Sequence, residues 1–215
     1  MKAEIADYIL ARSGPEPEWL RSIDHRTHLR LLNPRMCSGH YQGRLLKLLT
    51  EMIRPQRVLE LGTYSGYSAL CIAEGLGESA RLHTVEINDE LSDFIADSLA
   101  GAPAEISGKI EVHFGDALKV IPQLGGSWDM VFMDADKRLY SSYIDLLLPR
   151  LAPGGWIIAD NTLWDGNILD PAHDRDPQTR AIRAFNDRVA ADPRLQSLII
   201  PLRDGLTLIT AAKSL

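Results

Sequence analysis

The stretch RVLELGTYSGYSALCIAEGL, Arg57 to Leu76, decides the fold. RVLEL reads as a buried strand and GYSALCIAEGL as a helix, with a turn containing Gly62 and Gly66 where the two meet. A strand that runs through a glycine turn straight into a helix is the first half of a βαβ unit.

Downstream the same alternation repeats. LHTVEI (82–87), IEVHF (110–114), DMVFMD (129–134) and GWIIAD (155–160) read as further strands. The helices between and after them read as DELSDFIADSLA (89–100), ALKVIPQL (117–124, despite Pro122), YSSYIDLLLPRL (140–151) and TRAIRAFNDRVAAD (179–192). Strands separated by helices predict a parallel, doubly wound α/β sheet. The C-terminus breaks the pattern. LQSLIIPL and LTLITAA are strand-like and separated only by Arg203-Asp204-Gly205. So tight a connection cannot join parallel strands, so the last strand is expected to run antiparallel. The expectation is a mostly parallel seven-stranded sheet closed by an antiparallel C-terminal hairpin.

Upstream, residues 1–54 show no strand pattern, and GRLLKLLTEMI (43–53) carries a broad apolar helical face stopped by Pro55. A chain of 215 residues is most simply one domain, with 1–54 as a helical cap and 55–215 as the α/β core. A net charge of -6 argues against a nucleic-acid partner. No segment has the length and apolarity of a signal peptide or a membrane span, and Cys37 and Cys71 form no disulfide framework, so a reducing cytoplasm is expected. His25 and His28, three apart, read as surface polar residues.

Acids stand at the ends of the strands. Glu60 precedes the first glycine, a poor place for a phosphate and a good one for a cation. Glu86 closes the second strand, where an acid can accept two ribose hydroxyls, and Asp116 follows the third, where it can accept from an adenine amine. Glu86 and Asp116 also suit plain helix caps. Taken with Glu60, the nucleoside reading is favoured. A nucleoside without phosphates and with a positive amino-acid tail is S-adenosylmethionine.

The fourth strand ends in Asp134 and the fifth in Asp160-Asn161. Neighbouring strands lie about 4.8 Å apart, so two carboxylates and an amide oxygen would converge as hard ligands for Mg²⁺. The alternative makes them turn formers and a cap. Lys137, three residues after Asp134, would return over the same site, where a nearby cation and partial desolvation would lower its pKa toward that of a base; it also suits a surface lysine. The long loop TLWDGNILDPAHDRDPQ (162–178) is of a length often functional in a compact domain.

Together, LELGTYSGYSAL, VEI, GDA, MDADK, ADNTLWDG and PLRDGLTLI, in this order, resemble the motifs of the cation-dependent O-methyltransferases of the catechol and caffeoyl-CoA type. The resemblance runs from about Met36 to the C-terminus. It implies that Asp134, Asp160 and Asn161 bind a divalent metal, Mg²⁺ or another, and that Lys137 is the general base. It places Glu60, Gly62, Thr63, Ser68, Glu86, Asp116, Ala117 and Asp134 at S-adenosylmethionine, with Ser68 near its carboxylate. Met36 and Ser38, in MCSGHYQG, match the segment that lies against the cofactor, and Trp164 matches an aromatic of the substrate loop, though it suits a loop anchor as well. The implied reaction is methyl transfer to one hydroxyl of a small aromatic vicinal diol, in a homodimer. Methylation of RNA or of another small molecule on the same fold, or non-catalytic cofactor binding, are the alternatives.

Overall fold

The computed structural model describes residues 3–212. Its strands are β1 (Arg57–Leu61), β2 (Arg81–Glu86), β3 (Ile110–Phe114), β4 (Trp128–Met133), β5 (Leu151–Asp160), β6 (Leu195–Ile200) and β7 (Leu206–Ala211). They form one seven-stranded sheet in the order β3-β2-β1-β4-β5-β7-β6. Pairing from β3 through β5 is parallel, and β7 runs antiparallel to both β5 and β6. The expected sheet, including its closing hairpin, is what the chain forms.

The helices are α1 (Ala3–Leu10), α2 (Glu18–Arg30), α3 (Gly39–Ile53), α4 (Tyr67–Gly75), α5 (Ser92–Ala100), α6 (Ala104–Ser107), α7 (Ala117–Leu124), α8 (Tyr140–Leu147) and α9 (Pro177–Ala191). Two apolar layers hold them to the sheet. On one face Leu59, Leu61, Val131 and Ile157 pack with Ile121 of α7, Ile144 of α8 and Phe185 of α9. On the other, Val58, Leu82, Met130 and Phe132 pack with Leu46 of α3 and Ile72 of α4. Side chains one residue apart thus go to opposite faces, and a parallel sheet covered on both sides needs near-continuous apolar strands. Outside α4, Leu20 and Ile23 of α2 add a further layer on Tyr67 and Leu70. The α3–α4 contact depends on small residues: a Cβ at Gly43 would lie 2.7 Å from Cys71 Sγ.

Several boundaries differ from the sequence reading; the helix read over 140–151, for one, ends at Leu147, and the one read from 89 starts at Ser92. Helix α3 starts at Gly39, four residues before the stretch 43–53 read as helical, and its first turn buries Gln42. Strand β5 starts at Leu151 instead of Gly155, because Leu151 pairs with Trp128 across a register shift. The 162–178 loop contains 3₁₀ turns at Trp164–Leu169 and Pro171–His173. Arg183 of α9 ties it down, donating to the carbonyls of Ile168 (2.7 Å) and Asn167 and Asp170 (both 3.1 Å). Among the described residues no helix is long and apolar enough to cross a membrane.

Candidate active site

In a doubly wound sheet the crevice opens at the C-terminal strand ends, where chain order reverses. Here that point lies between β1 and β4, whose neighbours β2 and β5 belong to opposite halves. A cavity of about 920 Å³ opens there, within the range of small-molecule sites. Its wall includes Met36, Ser38, Gly62, Thr63 and Ser68 on one side, Glu86, Asp116 and Ala117 beyond them, and Asp134, Lys137, Asp160, Asn161 and Trp164 opposite. Of the residues assigned to metal, cofactor, base or substrate from the sequence, Glu60 alone is not in its wall.

Gly62 explains how β1 and β4 come so close at the tip. Its φ is +96°, and a Cβ there would stand 2.1 Å from the Asp134 carbonyl oxygen. No other residue fits against that backbone. Gly66, at φ +80°, then turns the chain into α4. Beneath this loop Glu60 is fully buried and accepts from Ser68 Oγ (2.6 Å) and Thr84 Oγ1 (2.5 Å). Burial pushes its carboxyl up to about 8, against the pull of those two hydroxyls. Glu60 therefore supports Ser68 from below the cavity floor, in a place where burial favours its neutral form.

Glu86 is buried and serves the loop itself. One carboxylate oxygen accepts from the Tyr64 N–H (2.8 Å) and the other from the Asn88 N–H (2.9 Å). A carboxylate offers about four lone-pair sites, so two stay open toward the cavity. Asp116 caps α7 by accepting from the Leu118 N–H (2.9 Å) and still borders the cavity. For both acids the cap and the cavity-facing position coexist.

Across the switch point the groups are less at ease. Asp160, buried at the tip of β5, accepts from Gln42 Nε2 (2.6 Å) and from the Asn161 N–H (2.8 Å). Burial, and then the charge of Asp134, push its carboxyl up to about 6. Asn161 has a left-handed φ of +58°, and its amide donates to Asp204 of the hairpin turn (3.4 Å). Lys137 is buried, donating to Asp134 Oδ1 (2.5 Å) and to the Tyr140 hydroxyl (2.9 Å). Burial pulls the Lys137 pKa down, but the Asp134 charge and Tyr140 outweigh it, and the net direction is up. With the protein's own groups alone, the lysine is thus held charged, opposite to the lowering that a nearby cation was expected to cause. Asp136, next to it, instead pairs with Arg138.

Three further residues had no signal in the sequence. Gln42 reaches Asp160 from 118 positions away and lay outside the apolar pattern of α3. Tyr140, which reads as core, sets its hydroxyl 2.9 Å from the carbonyls of both Met133 and Asp160, tying the β4 and β5 tips together. Arg203, in the hairpin turn at φ +48°, donates to the carbonyls of Arg35 (3.0 Å), Cys37 (2.9 Å) and Ser38. It clamps the segment carrying Met36 and Ser38 over the cavity.

A family model described as O-methyltransferase matches residues 11–212. The chain belongs to that family. It is 34% identical over 215 residues to the mouse "Catechol O-methyltransferase domain-containing protein 1", covering 94% of this chain and 77% of that protein. It is 33% identical over 229 residues to the Zea mays "Caffeoyl-CoA O-methyltransferase 2", covering 98% and 83%. Among solved structures, the O-methyltransferase TomG from Streptomyces achromogenes, crystallised with S-adenosylmethionine, superimposes with a TM-score of 0.88 at 29% identity, covering 98% of this chain and 96% of that one. Membership fixes the class of reaction, and the cavity at the switch point gathers acids, a lysine and a glycine loop in a single concave site.

Proposed function

We propose that this O-methyltransferase is Mg²⁺-dependent, takes its methyl group from S-adenosylmethionine, and delivers it to one hydroxyl of a catechol-like aromatic diol. The observation that carries this reading is the meeting of two carboxylates and a side-chain amide at the tips of neighbouring strands β4 and β5, inside the cavity that Glu86 and Asp116 border. These are hard oxygen donors. The upward push on Asp160, partly from Asp134, marks two like charges in a desolvated place, an arrangement that a divalent cation relieves. The donor set therefore fits Mg²⁺, with Asp134, Asp160 and Asn161 as ligands. When bound, the metal would supply Lewis acidity that makes a substrate hydroxyl easier to ionise.

On the β1–β3 side, the fit to S-adenosylmethionine rests on the free lone pairs of Glu86 for the ribose hydroxyls and on Asp116 for the base. Gly62 and Gly66 let the loop approach closely, and Ser68, braced by Glu60, faces the amino-acid end. When bound, the donor would supply a sulfonium methyl for the substrate oxygen to take, leaving S-adenosylhomocysteine. Lys137 would remove the proton from the attacking hydroxyl. Its ammonium form is held by Asp134, so engaging that carboxylate elsewhere frees the lysine toward its neutral, basic form. Trp164 would flank the aromatic ring of the acceptor. Most of the rate would come from alignment and electrostatics.

The test compares initial rates of labelled methyl transfer to a catechol and to its mono-hydroxyl analogue, with and without chelator. A diol can hold two neighbouring positions of a six-coordinate ion and a single phenol only one. The catechol is expected to react far faster, and chelator or Asp160→Ala should remove activity on both. Equal rates that survive the chelator would sink the metal-dependent reading.

A further inference from the structure

A second cluster of metal-competent side chains lies outside this cavity. His83 on β2 and Glu111 and His113 on β3 project from the same sheet face, since His83 pairs with Glu111 and the two β3 residues are two apart. His83 Nδ1 lies 3.1 Å from His113 Nε2, and the two rings stack. Each of those nitrogens also meets its own oxygen of Glu111, at 3.4 Å for His83 and 3.5 Å for His113. The histidines are largely buried, their side chains 14% and 19% exposed, while Glu111 reaches solvent.

No placement of protons makes all three contacts favourable. A proton on one ring nitrogen satisfies its contact to the other ring and to its own carboxylate oxygen, but leaves the second nitrogen facing the second oxygen, acceptor to acceptor. Protons on both nitrogens set two donors 3.1 Å apart. A cation held by the two ring nitrogens and one Glu111 oxygen removes the conflict. One ligand atom from each residue lies within 4.8 Å of the others. Metal bonds of about 2.0–2.2 Å at tetrahedral angles put neighbouring ligand atoms roughly 3.3–3.6 Å apart. The two nitrogens at 3.1 Å thus nearly span such a site, and a small turn of the exposed Glu111 carboxylate brings one oxygen to it. The nearby cation Arg57 is occupied elsewhere, with the carbonyls of Leu124 (2.7 Å), Gly125 (2.5 Å) and Ser127 (3.4 Å) and the Trp128 ring.

We propose that His83, Glu111 and His113 form a second metal site, for Zn²⁺ or a similar imidazole-preferring transition ion, with water in the fourth position. Two imidazoles and one carboxylate suit such ions and not Mg²⁺. The ion would staple edge strand β3 to β2, just upstream of Phe114 and Glu86, which pair where the cofactor side of the cavity begins. It would act on stability there and take no part in the transfer itself.

The experiment uses Co²⁺ as a spectroscopic probe on chelator-treated full-length protein carrying Asp160→Ala, so that the cavity site is disabled. One equivalent of Co²⁺ is expected to give the intense visible absorption of a tetrahedral site, and Zn²⁺ should displace it and raise the thermal midpoint. Adding His113→Ala should abolish the band and the shift. Removing a ligand should cost at least the roughly 100-fold in affinity that losing an outer-sphere partner can cost. If that variant fails to fold, Glu111→Gln, altered at an exposed side chain, should show the same loss. No tetrahedral band in the Asp160→Ala protein, or a band that survives either added substitution, would overturn the site. Failure of the Mg²⁺ reading leaves these measurements unchanged, because they report binding in a background where the cavity site is already removed.

Discussion

The cavity has two banks, and they are built in opposite ways. On the β1–β2–β3 bank each acid already has structural partners. Glu60 holds Ser68 and Thr84, Glu86 holds the Tyr64 and Asn88 N–H groups, and Asp116 holds that of Leu118. On the β4–β5 bank the charge of Asp134 adds to the cost of burying Asp160 beside one buried lysine, and Asn161 sits in a left-handed conformation. The first bank is a finished frame that shapes a binding surface. The second keeps charges close together in a desolvated place, which costs stability and is characteristic of sites that do chemistry. Changes on the two banks should therefore separate cleanly into binding and turnover.

The largest expected effect is on the second bank. Lys137→Ala should lower turnover by roughly 10²–10⁴-fold, the usual contribution of a general base. Binding of S-adenosylmethionine, measured by calorimetry, should stay close to wild type, because the proton is removed on the reaction path and not in assembling the complex. Raising the pH, where the diol ionises unaided, should recover part of the rate. Near-normal turnover at neutral pH would exclude Lys137 as the base and erase the contrast between the banks.

Glu60→Gln comes next and tests whether the first bank is a frame. The Glu60 carboxyl is raised to about 8 from an ordinary 4.5. A group raised in the folded state gives stability that is full below the unfolded pKa and is lost as pH climbs through the folded one. Its contribution should thus fall between about pH 4.5 and pH 8, by roughly 3–5 kcal/mol if the full shift holds. Glutamine mimics the neutral acid, so the variant should lack this decline. Unfolding midpoints in denaturant across that range would show it, and parallel curves for the two proteins would mean that Glu60 is charged in the fold.

How far all this was readable from the sequence follows the same division. Most strands were visible as short β-rich runs between helical patterns, and Asp134, Asp160 and Glu86 stood out because a buried run seldom ends in a carboxylate without a reason. What could not be read were partners supplied by distant segments. Gln42 looks like a polar residue on the weak side of a helix, Tyr140 like core, and Arg203 like part of a turn. Their hydrogen bonds to Asp160, to the Met133 carbonyl and to the Ser38 carbonyl depend on how α3, α8 and the hairpin dock. Glu60 shows the opposite limit: a motif position next to the glycine turn was visible, but the alternation of the strand aims it at Thr84 and Ser68, below the floor. The His83–Glu111–His113 group was hidden because its members belong to two strands whose register a sequence does not display.

Glu86→Ala should act on the first bank in two ways at once. The ribose would lose its acceptors, at about 2–4 kcal/mol for charge-assisted bonds, and the Tyr64 and Asn88 N–H groups would lose theirs. Divalent-metal affinity should be nearly unchanged, since Asp134, Asp160 and Asn161 keep their own partners. Calorimetric titration showing intact cofactor affinity would return Glu86 to the role of an ordinary cap.

The smallest effect is expected at Gln42, and it sharpens the comparison most because Gln42 belongs to neither bank. It sits in the first turn of α3, on the helical layer, yet its amide donates at 2.6 Å to the Asp160 oxygen that the backbone does not hold. With both oxygens engaged, Asp160 has a fixed orientation, and its remaining lone pairs face a defined direction. Gln42→Leu keeps the bulk in a buried position but withdraws that donor, so the carboxylate becomes free to turn and its neutral form gains further. Partners that orient a metal ligand are worth about 10–100-fold in affinity, and Mg²⁺ binding should weaken by that factor with S-adenosylmethionine binding unaltered. Saturating Mg²⁺ should then restore most of the turnover, which separates a positioning residue from one that touches the substrate. If turnover stays low at saturating metal while metal affinity is unchanged, Gln42 acts on the acceptor directly, and the frame reaches further into the chemistry than the two banks suggest.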